Sequence, residues 1–136
     1  MASMIQYIAV GEDDGYWNAS GTFNNSGSSA NLAAGWSAFL RFTGLSELIG
    51  ATITAATVSI TANNNSSDTA GVRIRAARAD NSSAPADASQ ASAPTRTTAY
   101  ADWTLPAYSS GTVYTSVDIS AVIQELVSSG FLDAVS

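Results

Sequence analysis

Hydrophobic and polar residues alternate along several short stretches of the chain, and this two-residue period predicts β-strands. In residues 36–43 aromatic side chains stand on both alternating faces, which predicts an inner strand. In residues 72–79 Val72 and Ile74 alternate with Arg73 and Arg75, the pattern of a half-buried strand with a cationic outer face. Related patterns predict further strands at residues 4–10, 16–23, 51–62, 97–103 and 112–117.

A different period follows near the C-terminus and predicts one short amphipathic helix at about 119–128. Asp118 or Ser120 can cap its start, and Gly130 can end it. The apolar residues recur with the three- and four-residue spacing of a helix: Ile119, Val122, Ile123, Leu126 and Val127.

The order of these elements favours an all-β fold. About seven short strands separated by polar turns, with a single late helix, are typical of a β-sandwich. Residues 80–95 hold almost no large apolar side chains and two of the three prolines, so they predict a long loop. A chain of 136 residues fits one domain, and we expect a single sandwich over residues 1–136.

Composition narrows the range of functions. The net charge is -6, with 11 acidic residues against 5 basic ones that are all arginine, which argues against nucleic-acid partners. Histidine and cysteine are absent, so the chain has no Ser-His-Asp triad, thiolate zinc site or disulfide. No apolar run is long enough to span a bilayer, and we expect no membrane partner. The acidic residues show no shared cleft, and we expect no enzymatic activity.

An acidic turn is the candidate metal site. Glu12, Asp13 and Asp14 stand together between Gly11 and Gly15, and oxygen-rich loops of this kind bind Ca²⁺ when backbone carbonyls complete the ligand set. The alternative is a solvated acidic turn. Calcium is the one cofactor that the sequence raises.

Two pairs of residues are candidate ligand-binding groups. Tyr16 and Trp17 follow the acidic turn and could stack against sugar rings, although aromatic residues equally form cores. Arg73 and Arg75 could bind a carboxylate or an anionic polysaccharide. An acidic partner surface, or an acidic residue on the adjacent strand, would satisfy these arginines equally well.

Blocks of sequence over roughly residues 5–130 resemble a recurrent bacterial and phage module. The matching blocks are residues 39–42 (FLRF), 44–45, 49–58 (IGATITAATV), 96–99, Trp103, 118–120 and 123–125. This pattern is similar to jelly-roll sandwiches related to the DNRLRE-type carbohydrate-binding modules, which occur in secreted surface proteins and phage structural proteins. The DNRLRE signature itself does not occur in the chain. The resemblance implies an antiparallel two-sheet jelly roll that binds or assembles and does not catalyse.

The C-terminal residues depart from this pattern. Members of such families continue after the helix with a glycine-containing turn and a last apolar strand, whereas this sequence ends with residues 131–136. We therefore expect a different closure or an open sheet edge that pairs with another subunit. Phe131, Leu132 and Val135 are the candidate subunit contacts, with residues 1–5 and 80–95 as further contact regions.

These observations lead to two hypotheses on function. The first is a non-enzymatic structural protein of a phage virion, decorating a capsid or associated with a tail or fibre. It would bind other virion proteins and copies of itself, at the virion surface or outside the cell. The alternative is a carbohydrate-binding module of a secreted or surface protein.

Overall fold

The computed structural model describes residues 3–8, 11–25, 32, 34–79 and 83–130, and they form a predominantly β fold. The prediction of a mainly β chain is therefore confirmed. The strands are β1 (Asp14–Asn18), β2 (Phe23–Asn24), β3 (Trp36–Leu40), β4 (Ser59–Thr61), β5 (Ala70–Ile74), β6 (Ala101–Leu105) and β7 (Val113–Thr115). The α-helices are α1 (Ala88–Ser92) and α2 (Ser120–Ser128). None of the helices in these residues has the length and apolarity needed to cross a bilayer.

The chain forms two compact units. The first contains the described residues of Met1–Ile49 and Ala79–Pro94, and the second contains those of Gly50–Arg78 and Thr95–Phe131. The single domain over residues 1–136 remains a prediction.

An antiparallel three-stranded sheet, in the order β2-β1-β3, forms the centre of the first unit. A tight turn joins β1 to β2, and the Asn18 side chain stabilises it by accepting hydrogen bonds from the backbone N–H groups of Ser20 and Thr22, both at 3.0 Å. The segment predicted as one strand over residues 16–23 is thus a hairpin. Among the described residues the central strand is β1 and β3 lies at an edge, in contrast to the inner strand predicted at 36–43. Aromatic residues occur on both faces of β3 because both faces of this sheet pack rings against each other.

Aromatic pairs hold the two faces of this sheet. On one face the Phe39 ring stacks on Phe23 with centroids 5.8 Å apart and contacts Trp17 at 6.2 Å. On the other face Tyr16 meets Trp36 edge to face at 5.3 Å. None of these rings is fully buried.

The second unit is built on a long antiparallel ribbon, which we define as residues 56–78 paired with residues 95–119. Ser59 pairs with Thr115 and Ser66 with Tyr108, so up to this point each step forward on one arm is a step back on the other. Between Ser66 and Ala70, which pairs with Leu105, the first arm holds one residue more than the second arm. Further along, Ala77 pairs with Arg96, and here the second arm holds the extra residues. The antiparallel pairing therefore continues along the ribbon, with its register shifted at these two places.

Side-chain oxygens replace strand partners at the start of the first arm. The backbone N–H groups of Ile53, Ala56 and Val58 donate to three side chains of the opposite arm and helix α2. The acceptors are Gln124 Oε1 at 2.6 Å, Asp118 Oδ1 at 3.0 Å and Ser116 Oγ at 2.9 Å. Because of this substitution, only Ser59–Thr61 is a regular strand within the predicted 51–62.

Among the described residues, the buried hydrophobic side chains are Trp103, Leu105, Ile119 and Val122, and all belong to the second unit. Burial of Trp103 confirms its interpretation as a core residue. Trp36, for which the same role was expected, is only half-buried.

Helix α2 confirms the helix predicted at about 119–128. Asp118 lies before its first turn and accepts hydrogen bonds from the backbone N–H (3.1 Å) and the hydroxyl (2.6 Å) of Ser120. Gly130 follows the helix with a φ of 77°, a conformation that glycine adopts without strain.

Two predictions along the first unit were wrong. Residues 4–8 form no strand, because their alternating apolar side chains Ile5 and Tyr7 are exposed instead of packed. The predicted loop 80–95 contains α1, since the Asp87 side chain accepts a hydrogen bond from the Gln90 backbone N–H at 2.8 Å and starts a helical turn.

Candidate interaction surface

The exposed face of β5 and β6 carries charged and polar side chains on neighbouring positions of the two strands. Arg73 lies directly opposite Asp102, and Gly71 lies opposite Thr104. All four residues are exposed, while the intervening Trp103 points to the core. The alternation predicted for residues 72–79 is therefore confirmed over β5, with Val72 and Ile74 on its inner face.

Arg73 and Asp102 form a two-point ion pair across the strands. Arg73 Nε donates to Asp102 Oδ1 at 2.7 Å and Arg73 Nη2 donates to Oδ2 at 2.9 Å. The hydrogen bond from Arg73 lowers the pKa of the Asp102 carboxyl and raises the pKa of the guanidinium. The side chains are 51% and 60% exposed, so water screens the pair and its contribution to folding is small. Its main effect is to fix the direction of the guanidinium.

Tyr100 joins both predicted arginines into one cluster. Its ring centroid lies 3.9 Å from the Arg73 guanidinium carbon and 5.3 Å from that of Arg75, within the range of cation–π attraction. The structure thus brings Arg73 and Arg75 together, as the sequence predicted. It adds Asp102, which the pairing of β5 with β6 places opposite Arg73, and Tyr100, which comes directly before β6.

A shallow concavity adjoins this cluster. It has a volume of about 260 Å³ and is lined by Gly71, Val72, Arg73, Asp102, Trp103 and Thr104. A Cβ atom built on Gly71 would meet no atom within 4 Å, so the missing side chain leaves the concavity open. The walls present a guanidinium, a carboxylate and a hydroxyl.

The three carboxylates of the acidic turn differ in their surroundings. Asp13 is 1% exposed and its Oδ1 accepts a hydrogen bond from Arg41 Nη1 at 2.6 Å. Burial, and then the neighbouring charge of Asp13, raises the pKa of Asp14. Glu12 remains exposed in the 3-10 turn Gly11–Asp13. No group of three or more acidic residues in the described part of the chain is arranged to hold a metal ion, and the calcium site remains a prediction.

Tyr16 and Trp17 do not form a shared binding platform. Consecutive residues of a strand point to opposite faces, and here Tyr16 contacts Trp36 while Trp17 contacts Phe39. Both side chains are half-buried in the sheet of the first unit. Phe131, Leu132 and Val135, the predicted subunit contacts, lie outside the described residues.

Sequence reasoning missed a carboxylate that organises the second unit. Glu125 on α2 accepts hydrogen bonds from the backbone N–H groups of Thr98 at 2.9 Å and Ala99 at 3.0 Å. No local sequence motif predicts this contact, because Glu125 lies 26 and 27 residues from the two donors.

Comparisons of the chain with protein-family models, with curated proteins and with solved structures found no match.

Proposed function

We propose that the chain is a non-enzymatic assembly protein, a phage virion component that binds copies of itself and other virion proteins. One observation carries the proposal. The buried hydrophobic side chains of the described residues all lie in the second unit. Large apolar side chains are exposed in both units: Ile5, Tyr7, Leu40 and Ile49 in the first, and Tyr100, Val113 and Val117 in the second. Only in the first unit do the described residues include no buried hydrophobic side chain to accompany them.

Apolar surface of this kind favours association. Each square ångström of apolar area removed from water contributes about 25 cal/mol, and exposed apolar patches are typical of protein–protein contacts. A three-stranded sheet also needs a covered hydrophobic face for stability. A neighbouring subunit supplies such a cover, and Ile5 lies in the region 1–5 expected to make contacts, with Tyr7 two residues beyond it.

Pairing along the ribbon supports a jelly-roll relationship for the second unit. In a jelly roll, two arms of the chain pair antiparallel along their lengths before they are divided between two sheets. The continuing alignment of β4 with β7 and of β5 with β6 has this form. The likeness of the sequence blocks to phage structural proteins supports the virion assignment, with the protein at the virion surface or outside the cell.

Removal of apolar side chains from residues 3–8 tests the proposal. The double variant Ile5→Ser, Tyr7→Ser should lose self-association in light scattering and particle images while its thermal midpoint stays unchanged, because these side chains are 75% and 78% exposed. Val113→Ser with Val117→Ser, two exposed positions of the second unit, is the matched control and should assemble normally. A wild-type chain that stays monomeric at every concentration would contradict the proposal.

The concavity beside Tyr100 favours carbohydrate binding as a second candidate function. Its guanidinium, carboxylate and hydroxyl match the hydrogen-bonding groups of a sugar, and an exposed tyrosine stands next to it. Tyr100→Ala should then abolish retention in a glycan affinity gel, while Tyr7→Ala, a change at an exposed tyrosine of the first unit, should not. Equal retention of both variants would remove this function.

A further inference from the structure

Arg75 is a charged group with no charged partner in contact. Its side chain is exposed, and it makes neither a hydrogen bond nor an ion pair within the described part of the chain. The charge of Arg75 also acts on Asp102, but both oxygens of that carboxylate accept hydrogen bonds from Arg73. The donors of Arg75 therefore remain available to an acceptor from another molecule.

Tyr100 prepares this guanidinium for binding. The ring lies 5.3 Å from the Arg75 guanidinium carbon and also supports Arg73 from 3.9 Å. Attraction to the ring restricts the long side chain before any contact forms, which lowers the entropy lost on binding. A planar guanidinium held in this way suits a carboxylate, because it can donate two parallel hydrogen bonds.

We infer that Arg75 binds a carboxylate of a second copy of this chain. This inference rests on the proposed function, because it names a contact through which copies assemble. With 11 acidic residues and 5 basic ones, each copy offers many more carboxylates than it can pair internally. Glu12, Glu47 and Asp68 are exposed and belong to no ion pair in the described residues.

Net charge argues against an extended polyanion as the acceptor for Arg75. The whole molecule carries a charge of -6, which repels an extended polyanion such as nucleic acid at long range. A single carboxylate on another copy meets Arg75 only at contact, where the local face holds two guanidinium groups against one carboxylate. The Arg75 contact then offsets part of the repulsion between two acidic copies.

Sedimentation velocity of the full chain tests the inference. Arg75→Gln should weaken self-association at least about fivefold at low salt, as expected when one partner of an interfacial charge pair is removed. Asn64→Asp changes the net charge equally at another exposed position and should associate like the wild type. Higher sodium chloride should reduce the difference between wild type and Arg75→Gln, because salt screens the pair.

Charge reversal identifies the acceptor. Arg75→Glu should not associate with itself, and mixing it with Glu12→Arg, Glu47→Arg or Asp68→Arg should restore association for one of the three. Restoration supports the inference, and failure of all three mixtures overturns it. Unchanged association of Arg75→Gln overturns the inference but leaves the proposed function intact, whereas a wild type that never associates overturns both.

Discussion

Side chains of α2 and the residues before it act as backbone partners in the second unit. Glu125 takes two backbone N–H groups, and Asp118 and Gln124 take one each from the segment opposite. A backbone N–H withdrawn from water needs an acceptor, and where the chain departs from a regular ladder a side-chain oxygen must supply it. A few side chains therefore accept backbone hydrogen bonds that the carbonyl groups of a neighbouring strand would otherwise accept.

Glu125→Ala should lower the free energy of unfolding by about 1.5–3 kcal/mol, the range for hydrogen bonds to a charged group. The reason is that the N–H groups of Thr98 and Ala99 lose their acceptor together. Urea denaturation followed by circular dichroism measures the change. Glu47→Ala, an exposed glutamate in the turn Ser46–Leu48, is the control and should change stability by less than about 0.5 kcal/mol. An equal loss of stability in the two variants would contradict the role of Glu125 as an acceptor for these backbone N–H groups.

Gly15 allows the sheet of the first unit to close. An added Cβ would collide with the backbone oxygen of Asn24 and lie 2.9 Å from the Phe39 ring. Gly15→Ala should therefore destabilise the chain by about 1–3 kcal/mol, the usual range for overpacking. Gly71→Ala is the matched change in β5, where a Cβ meets open space, and its thermal midpoint should stay near that of the wild type. A Gly15→Ala midpoint equal to that of Gly71→Ala would show that β2 and Phe39 shift freely.

At the scale of elements, the start of α2 links folding to pH. Hydrogen bonds from Ser120 and then from the Ala56 backbone lower the pKa of Asp118 below its ordinary value of 3.8. A carboxyl whose pKa is lower in the folded chain contributes stability above the unfolded pKa, and that stability is lost as pH falls through the folded value. Asp118 therefore makes the fold less stable in acid.

Asp118→Asn should flatten the decline of stability with falling pH below about 5, because asparagine keeps an acceptor oxygen but cannot bind the proton. Urea midpoints at a series of pH values measure the slope. Asp68→Asn removes the same charge from an exposed loop and should leave the wild-type slope in place. A wild-type slope in Asp118→Asn would mean that protonation of Asp118 is not linked to unfolding.

Elements with a clear period could be predicted from the sequence. Helix α2 follows from its apolar spacing, and β5 follows from its alternation with arginine. The strand prediction failed at residues 51–58. Their composition is that of a strand, yet several of their backbone N–H groups donate to side-chain oxygens far along the chain. Residues 4–8 failed for the opposite reason, since an alternating pattern forms no strand without a partner.

The candidate surface could be predicted in part. Arg73 and Arg75 are two residues apart on a strand, so their common face follows from the period alone. The same rule separates Tyr16 from Trp17, and proximity in sequence was misleading there. Asp102 and Tyr100 could not be placed beside the arginines from the sequence. Their position depends on the register between β5 and β6, and the sequence of neither strand predicts that register.

At the scale of the whole molecule, the two units differ in how they are stabilised. The second unit buries Trp103, Leu105, Ile119 and Val122, whereas the rings of the first unit remain half-exposed. Local opening is easier where few apolar contacts are buried.

Hydrogen exchange under native conditions should therefore be slowest in β5, β6 and α2 and faster in β1 and β3. Mass spectrometry of proteolytic fragments measures this difference in the dilute chain. Assembly should slow hydrogen exchange most in the first unit, because a neighbouring subunit would then cover its exposed apolar side chains. Equal protection of the two units in the dilute chain would contradict the assignment of stability to the second unit.

The pairing of β5 with β6 is unbroken, so the face on which each side chain lies depends on the number of residues in these strands. Sheet faces alternate with every residue, so a deletion of one residue within β5 would turn Arg73 and Arg75 inward and send Val72 and Ile74 outward. Between Ser66 and Ala70 the ribbon already accommodates one unmatched residue, and a change of length there need not propagate. Variation in length among descendants of this sequence should therefore collect in that interval, while β5 and β6 accept changes of residue type but keep their count.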